Sequence, residues 1–418
     1  MKLCLSALTV WMWFAVATCS ATETSPWDLN AWHQVPPVQW LDDSSPVRSL
    51  LFESVPYEGH KTQVFAFYAT PGSVSGDPSK DVNLPAVVLL HGGGGTAFAE
   101  WVNLWARRGY AAIAMDLCGN RPEAPHYAAP TGELLTTAMV PRQRLEFGGP
   151  AEGPVGKFQN VGGDVTDDWQ YHAVAAGMLA HSLIRSFPEV DGERTAVTGI
   201  SWGGYLTCLM ASLDDRFKAA VPVYGCGFLS DGESVQRNQI DALPPERRAQ
   251  WIRDYDPSAW LPRCHTPIFF VNGTNDKHYP LRSYQRTYSL VPGPRQLRIE
   301  VGMKHGHPPG WAPKEIGLFV NHYLRGTPSL PKFGPLVTRD RIATASIQSP
   351  VPIRRAQLHF TIDGGTLVDR TWTSVPAACD GSEVSAAVPE AAQIWMLSVT
   401  DSRDAMVSTG VSFAPRAD

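Results

Sequence analysis

Apolar positions along this chain alternate between two kinds of run. Short continuous apolar stretches read as strands covered on both faces: LPAVVLL (84–90), AAIAMDL (111–117), TAVTGI (195–200), KAAVPVYG (218–225) and PIFFVNG (267–273). Between them lie segments with helical spacing, AEWVNLWARRGY, YLTCLMASL and DDWQYHAVAAGMLAHSLIRSF. The last puts Tyr171, Val174, Ala175, Met178, Leu179 and Leu183 on one helical face. HKTQVFAFYATP alternates as a strand, RQLRIEVG adds another, and PKEIGLFVNHYL closes the series as a helix. Strands alternating with helices predict an α/β fold with a mostly parallel central sheet, wrapped on both faces through right-handed crossovers. Two stretches, 119–164 and 228–263, interrupt the alternation. Insertions of that length predict lids or walls of a site.

After Gly326 the pattern changes. TPSLPKFGP reads as a linker, and AQLHFTID, RTWTSVP, QIWMLSVTD and MVSTGVSF read as short strands of a small C-terminal all-β sandwich. Trp372 and Trp395 are candidates there for glycan contact, with core packing as the competing role. The first residues show an early lysine, an apolar run and then small and polar residues, the pattern of a secretory signal. The expected division is therefore a signal peptide at 1–20, a main domain at 21–330 and an accessory sandwich at 335–418. Secretion or a periplasmic location follows, with lipoprotein attachment at Cys19 or a retained N-terminal anchor as alternatives. No later segment predicts a membrane span.

Composition narrows the options further. The chain is 44% hydrophobic and 18% charged with a net charge of -5, and its basic residues are scattered, which argues against a nucleic-acid surface. Beyond the signal, Cys118, Cys208, Cys226, Cys264 and Cys379 form neither a disulfide framework nor a metal-ligand pattern. Cys226 and Cys264 flank the second insertion and form a candidate pair, with a buried, unpaired role as the alternative for each. No metal and no cofactor are expected.

The chemistry gathers at three strand ends. Gly199-Ile-Ser201-Trp-Gly203 lies between a predicted strand and a predicted helix. Glycines on both sides of Ser201 permit a sharp turn that lifts the hydroxyl clear of the sheet, in front of the dipole of the following helix. An ordinary strand-to-helix turn is the plainer reading. HGGGG (91–95) supplies backbone N–H groups, so Gly93 or Gly94 with Trp202 are candidate oxyanion donors. A phosphate loop is the rival reading of those glycines, but the Gly-Lys-Ser/Thr ending is missing. Asp276, in the loop after PIFFVNG, is the candidate acid, with a turn-forming aspartate as its alternative. His305, first after the last strand, is the favoured base and His307 the alternative. Trp169, Tyr171 and Trp311 are candidate aromatic walls, with plain packing as their other reading.

On HGGGG, GISWGGY, NGTNDKHYP and KHGH the chain resembles the α/β-hydrolase superfamily, in particular its prolyl-oligopeptidase-like and acetyl-xylan-esterase-like members. The resemblance implies an α/β-hydrolase fold with Ser201 as nucleophile, Asp276 as acid and His305 as base. Too few residues precede Leu84 for the propeller of the oligopeptidases, and no Glu-Glu clamp for a free amino terminus appears in the leader. Both departures point to a serine esterase acting on a small-molecule or polysaccharide ester, acetylated polysaccharide among them. A serine peptidase and a non-catalytic glycan-binding protein are the alternatives.

Overall fold

The computed structural model describes residues 25–415 apart from 130, 136–140 and 153–155. The expected signal peptide and Cys19 lie outside these residues. At the centre is a nine-stranded sheet. Its strands are β1 (Val38–Asp42), β2 (Arg48–Tyr57), β3 (His60–Ala69), β4 (Leu84–Leu90), β5 (Ala111–Met115), β6 (Val190–Ile200), β7 (Ala219–Val223), β8 (Ile268–Gly273) and β9 (Arg295–Glu300). The spatial order is β1-β2-β3-β5-β4-β6-β7-β8-β9. β1, β2 and β3 are antiparallel, and the pairings from β5 through β9 are all parallel. The fold is thus a mostly parallel α/β sheet with an antiparallel border.

The parallel strands explain their own sequences. Every residue of β4, β5, β7 and β8 is buried, because helices cover both faces of the sheet. Burying each Val, Leu or Ile side chain there stabilises the fold by about 1.5–3 kcal/mol. The helix Trp169–Arg185 departs from the one-sided expectation, since Gln170, His172 and His181 are buried with its apolar face. His172 meets the Thr166 carbonyl and the Tyr57 ring, and His181 lies between Asp214 and Thr195 and stacks on Phe217. The leader covers the same helix at Tyr171 and Ser182. Trp27 and Trp32 pack on Tyr171 at 6.3 and 5.1 Å, and the Ser182 hydroxyl donates to the Trp32 carbonyl. Tyr171 is therefore a packing residue.

The first insertion contains two small antiparallel ribbons, Asn120–Pro122 with Arg142–Arg144 and His126–Ala128 with Glu133–Leu135. The second is helical, with Arg237–Asp241, Pro245–Tyr255 and Pro257–Trp260. The candidate disulfide does not form: Cys226 and Cys264 are both buried, free thiols, and the Cys264 thiol faces the Ala211 and Thr266 carbonyls.

The C-terminal strands form two five-stranded sheets. One is built on Ile342–Gln348 and Glu383–Ala387, the other on Ile353–Thr361 and Ile394–Asp401. Trp395 lies buried between them, its indole N–H on the Thr338 hydroxyl at 2.9 Å, which makes it a core residue rather than a glycan platform. The sandwich sits against the last strand and helices of the main sheet. Ile299 donates to the Ser408 hydroxyl, Met406 to the Glu315 carboxylate and Val411 to the Gln285 side chain. Among the described residues, no helix is long and apolar enough to cross a membrane.

Candidate active site

β6 runs into helix Trp202–Leu213 through Ser201, whose backbone takes φ 60° and ψ −116°. A non-glycine residue pays about 1–3 kcal/mol for such a conformation, so surrounding contacts must impose it. They do: Ser201 N–H bonds the Val223 carbonyl at 2.9 Å, and the neighbouring glycines are packed backbone against backbone. A Cβ at Gly203 would fall on the Leu90 carbonyl, and one at Gly199 on the Gly203 carbonyl. The turn is rigid, and it presents the Ser201 hydroxyl at the carboxyl ends of the parallel strands.

Three of the sequence-predicted residues meet there. His305 Nε2 lies 3.0 Å from Ser201 Oγ, and His305 Nδ1 lies 2.6 Å from Asp276 Oδ2. The Asp276 side chain is buried, and its Oδ1 accepts the backbone N–H groups of His278 and Tyr279 at 2.8 and 3.0 Å. With one carboxylate oxygen fixed by the backbone, the other is aimed at the imidazole. The His305 ring is boxed by Tyr224 and His278, with ring centres at 4.4 and 4.6 Å. Tyr224 itself has a positive φ of 65° and donates its hydroxyl to the Lys304 carbonyl, tying down the loop that carries His305.

His307 stands elsewhere. It begins the short helix His307–Trp311, packs on Phe98, and its Nε2 accepts the Gly92 N–H at 2.9 Å. Burial, helped by His91 and His305, pushes its pKa down to about 3. A nitrogen already engaged and held neutral makes a poor base. His91 is also structural: its Nδ1 faces the Gly92 carbonyl and its Nε2 accepts the Leu117 N–H. Trp311 packs against Phe98 and Trp101 beside it.

The glycine loop is divided in its commitments. Gly94 N–H donates to Glu152 Oε2 at 3.2 Å, whereas Gly93 lies against the Trp202 ring. Glu152 belongs to a cluster the sequence did not reveal. Its other oxygen lies 2.7 Å from the buried Lys157 ammonium, as an ion pair rather than an aligned hydrogen bond. The ammonium in turn stands over the rings of Trp169 and Trp202 at 4.6 and 5.3 Å. Burial opposes the charge on Glu152, but Lys157 and the Gly94 N–H outweigh it and hold the carboxyl below its ordinary value. Trp169 is anchored by its indole N–H on the Leu117 carbonyl, so it supports Trp202 from below. Among the described residues, no group of three or more His, Cys, Asp or Glu is placed to hold a metal ion.

A sharp serine turn at the carboxyl ends of a mostly parallel sheet, with a histidine and a buried carboxylate in line, defines a serine hydrolase of the α/β-hydrolase class. Comparison with known proteins gives the family. Residues 50–258, half of the chain, match the acetyl xylan esterase (AXE1) family, and the chain belongs to that family. That family is named for an esterase rather than a peptidase activity. Acetyl esterase Axe7A of Xylanibacter ruminicola is 23% identical over 231 residues, covering 53% of this chain and 49% of that protein. The chain thus spans about half the length of this curated relative. An acetyl xylan esterase from Paenibacillus sp. R4 shares the fold with a TM-score of 0.52 at 21% identity, over 71% of this chain and 92% of its own. Acetyl xylan esterase 1 from Thermoanaerobacterium sp. JW/SL YS485 gives a TM-score of 0.49 at 16% identity, over 72% of this chain and 93% of its own. The family match contains Ser201 and ends before Asp276 and His305, so the roles of the last two rest on geometry.

Proposed function

We propose that the protein is a secreted or periplasmic serine esterase that removes acyl groups, acetyl foremost, from small-molecule or polysaccharide esters. The carrying observation is the unbroken line from Ser201 Oγ through the His305 ring to Asp276. His305 Nε2 takes the hydroxyl proton as Ser201 attacks the ester carbonyl. Asp276 holds the ring and stabilises the imidazolium that forms. The oxyanion goes to the N–H groups of Trp202 and Gly93; Gly94 is the weaker candidate because its N–H is spent on Glu152. His305 then returns the proton to the departing alcohol, and the acyl group stays on Ser201. Water, deprotonated by the same histidine, attacks the acyl-enzyme, and the acid leaves as Ser201 regains its proton.

In this reading residues 21–330 carry the chemistry, residues 335–418 are accessory, and the first 20 residues direct export. Acetylated polysaccharide is the proposed natural substrate, supported by the family to which the chain belongs. Turnover of acetylated xylan and p-nitrophenyl acetate, set beside aminoacyl anilides, tests it. Ester turnover should dominate, and Ser201→Ala should lower kcat by about 10⁴-fold or more. Near-normal turnover in that variant, or a preference for anilides, would overturn the proposal.

A further inference from the structure

Asn275 stands next to Asp276, yet its side chain turns away from Ser201 and into the sandwich. Its Nδ2 donates to the carbonyls of Leu367, Val368 and Arg370 at 3.2, 3.2 and 2.8 Å. An amide nitrogen has two hydrogens, so three converging carbonyls share them as a cage. Its Oδ1 accepts the Thr274 hydroxyl at 2.6 Å, and Thr274 Oγ1 accepts the N–H of Gly302 at 3.0 Å. Gly302 lies on the loop that leads to His305. One relay of donors and acceptors therefore joins the loop of the acid, the loop of the base and a turn of the sandwich.

The turn is built to hold its carbonyls still. Asp363 Oδ2 accepts the Thr371 N–H at 2.6 Å, Arg370 Nε donates to the Gly365 carbonyl at 3.1 Å, and Asp369 N–H bonds the Thr366 carbonyl. Its apolar side chains Ile362 and Val368 are 56% and 44% exposed. An aspartate at 275 would set oxygen against three carbonyl oxygens, and an alanine would leave them without a donor. The sandwich is fixed to the catalytic sheet in several places, and this contact is made by the residue next to Asp276.

We propose that the sandwich is a working part of the active site: its 361–372 turn, gripping Asn275, sets the aim of Asp276 at His305. Asn275 is a positioning residue in this scheme, and the scheme rests on the esterase reading above. A misplacement of about 1 Å in such a line costs rate rather than substrate affinity.

The test uses the full chain with p-nitrophenyl acetate and compares Asn275→Ala, Asp363→Ala and the double variant. Asp363 acts within the turn, away from the acid loop, so its loss should reach the chemistry through Asn275 alone. Active sites are counted by labelling Ser201 to completion with a fluorophosphonate, which removes misfolded molecules from the rate. Each single variant should lower kcat by about tenfold with KM within about twofold, and the double should fall no further than the worse single. The proposal fails if both singles keep kcat within about twofold, or if the two losses multiply in the double. Absence of labelling in the parent protein would sink the hydrolase reading itself, a separate outcome from normal labelling with unchanged kcat in the variants.

Discussion

His305 and His307 show how two like residues, separated by one glycine, are driven to different chemistry by their surroundings. His305 offers Nε2 to Ser201 and Nδ1 to a buried carboxylate, while His307 spends Nε2 on the Gly92 N–H. His305→Ala should therefore match Ser201→Ala in its loss of kcat, about 10⁴-fold, since in the proposed mechanism the three residues work as a unit. His307→Gln keeps an acceptor for Gly92 and should retain kcat within about tenfold. A loss in His307→Gln equal to that in His305→Ala would reverse the assignment. Sequence order pointed to His305 only because it comes first after β9. The physical reason, the engagement of the other ring, involves residues more than two hundred positions away. Separations of 58 and 92–95 positions likewise hide Glu152 beneath Gly94 and the grip of the sandwich on Asn275. No local pattern announces either.

At the scale of elements, legibility followed burial. β4, β5, β7 and β8 were readable because every residue is apolar and covered, whereas β1 shows mainly exposed positions and β2 an irregular mixture, so neither looked like a strand. The serine turn was readable because only glycine fits beside it. Gly203→Ala would press a methyl group into the Leu90 carbonyl between β4 and the helix behind Ser201, and it should prevent folding or cost more than about 4 kcal/mol in denaturant unfolding. The long helix Trp169–Arg185 carries a different liability at its N-terminal end. Asp168 accepts the Tyr255 hydroxyl at 2.7 Å, but its second oxygen is buried without a partner. Burial, reinforced by nearby Asp254, pushes this carboxyl up from 3.8 to about 6, against the Tyr255 bond. Folding thus favours the protonated acid. That stabilisation is full below about pH 4 and is lost as pH rises through about 6. Asp168→Asn, which preserves an acceptor for Tyr255, should raise the urea midpoint at pH 8 by the equivalent of about 1–2 kcal/mol and leave it unchanged near pH 3.5. No gain at pH 8 would refute the argument.

Across the molecule, five buried histidines titrate in the opposite sense, because the fold holds them in the neutral form. Burial pushes His91, His172, His181 and His359 down to about 4 and His307 to about 3, against an unfolded value of 6.5. The stability they contribute is complete above about pH 6.5 and is lost as pH falls toward 4, where the unfolded chain takes up protons that the fold refuses. Urea midpoints measured from pH 7.5 to 4.5 should fall steadily, and a flat profile would contradict the burial seen here. The docking of the sandwich on β9 has one more consequence. β9 is the outermost parallel strand, and it pairs on one side with β8 while the Ser408 hydroxyl takes the N–H of Ile299 on the other. At the far margin, β1 relies on an irregularity between Trp40 and Asp42. Proteolytic nicking between Gly326 and Lys332 that let the sandwich drift off would bare the outer edge of β9, a template on which further copies can stack. Turbidity should then climb in step with clipping.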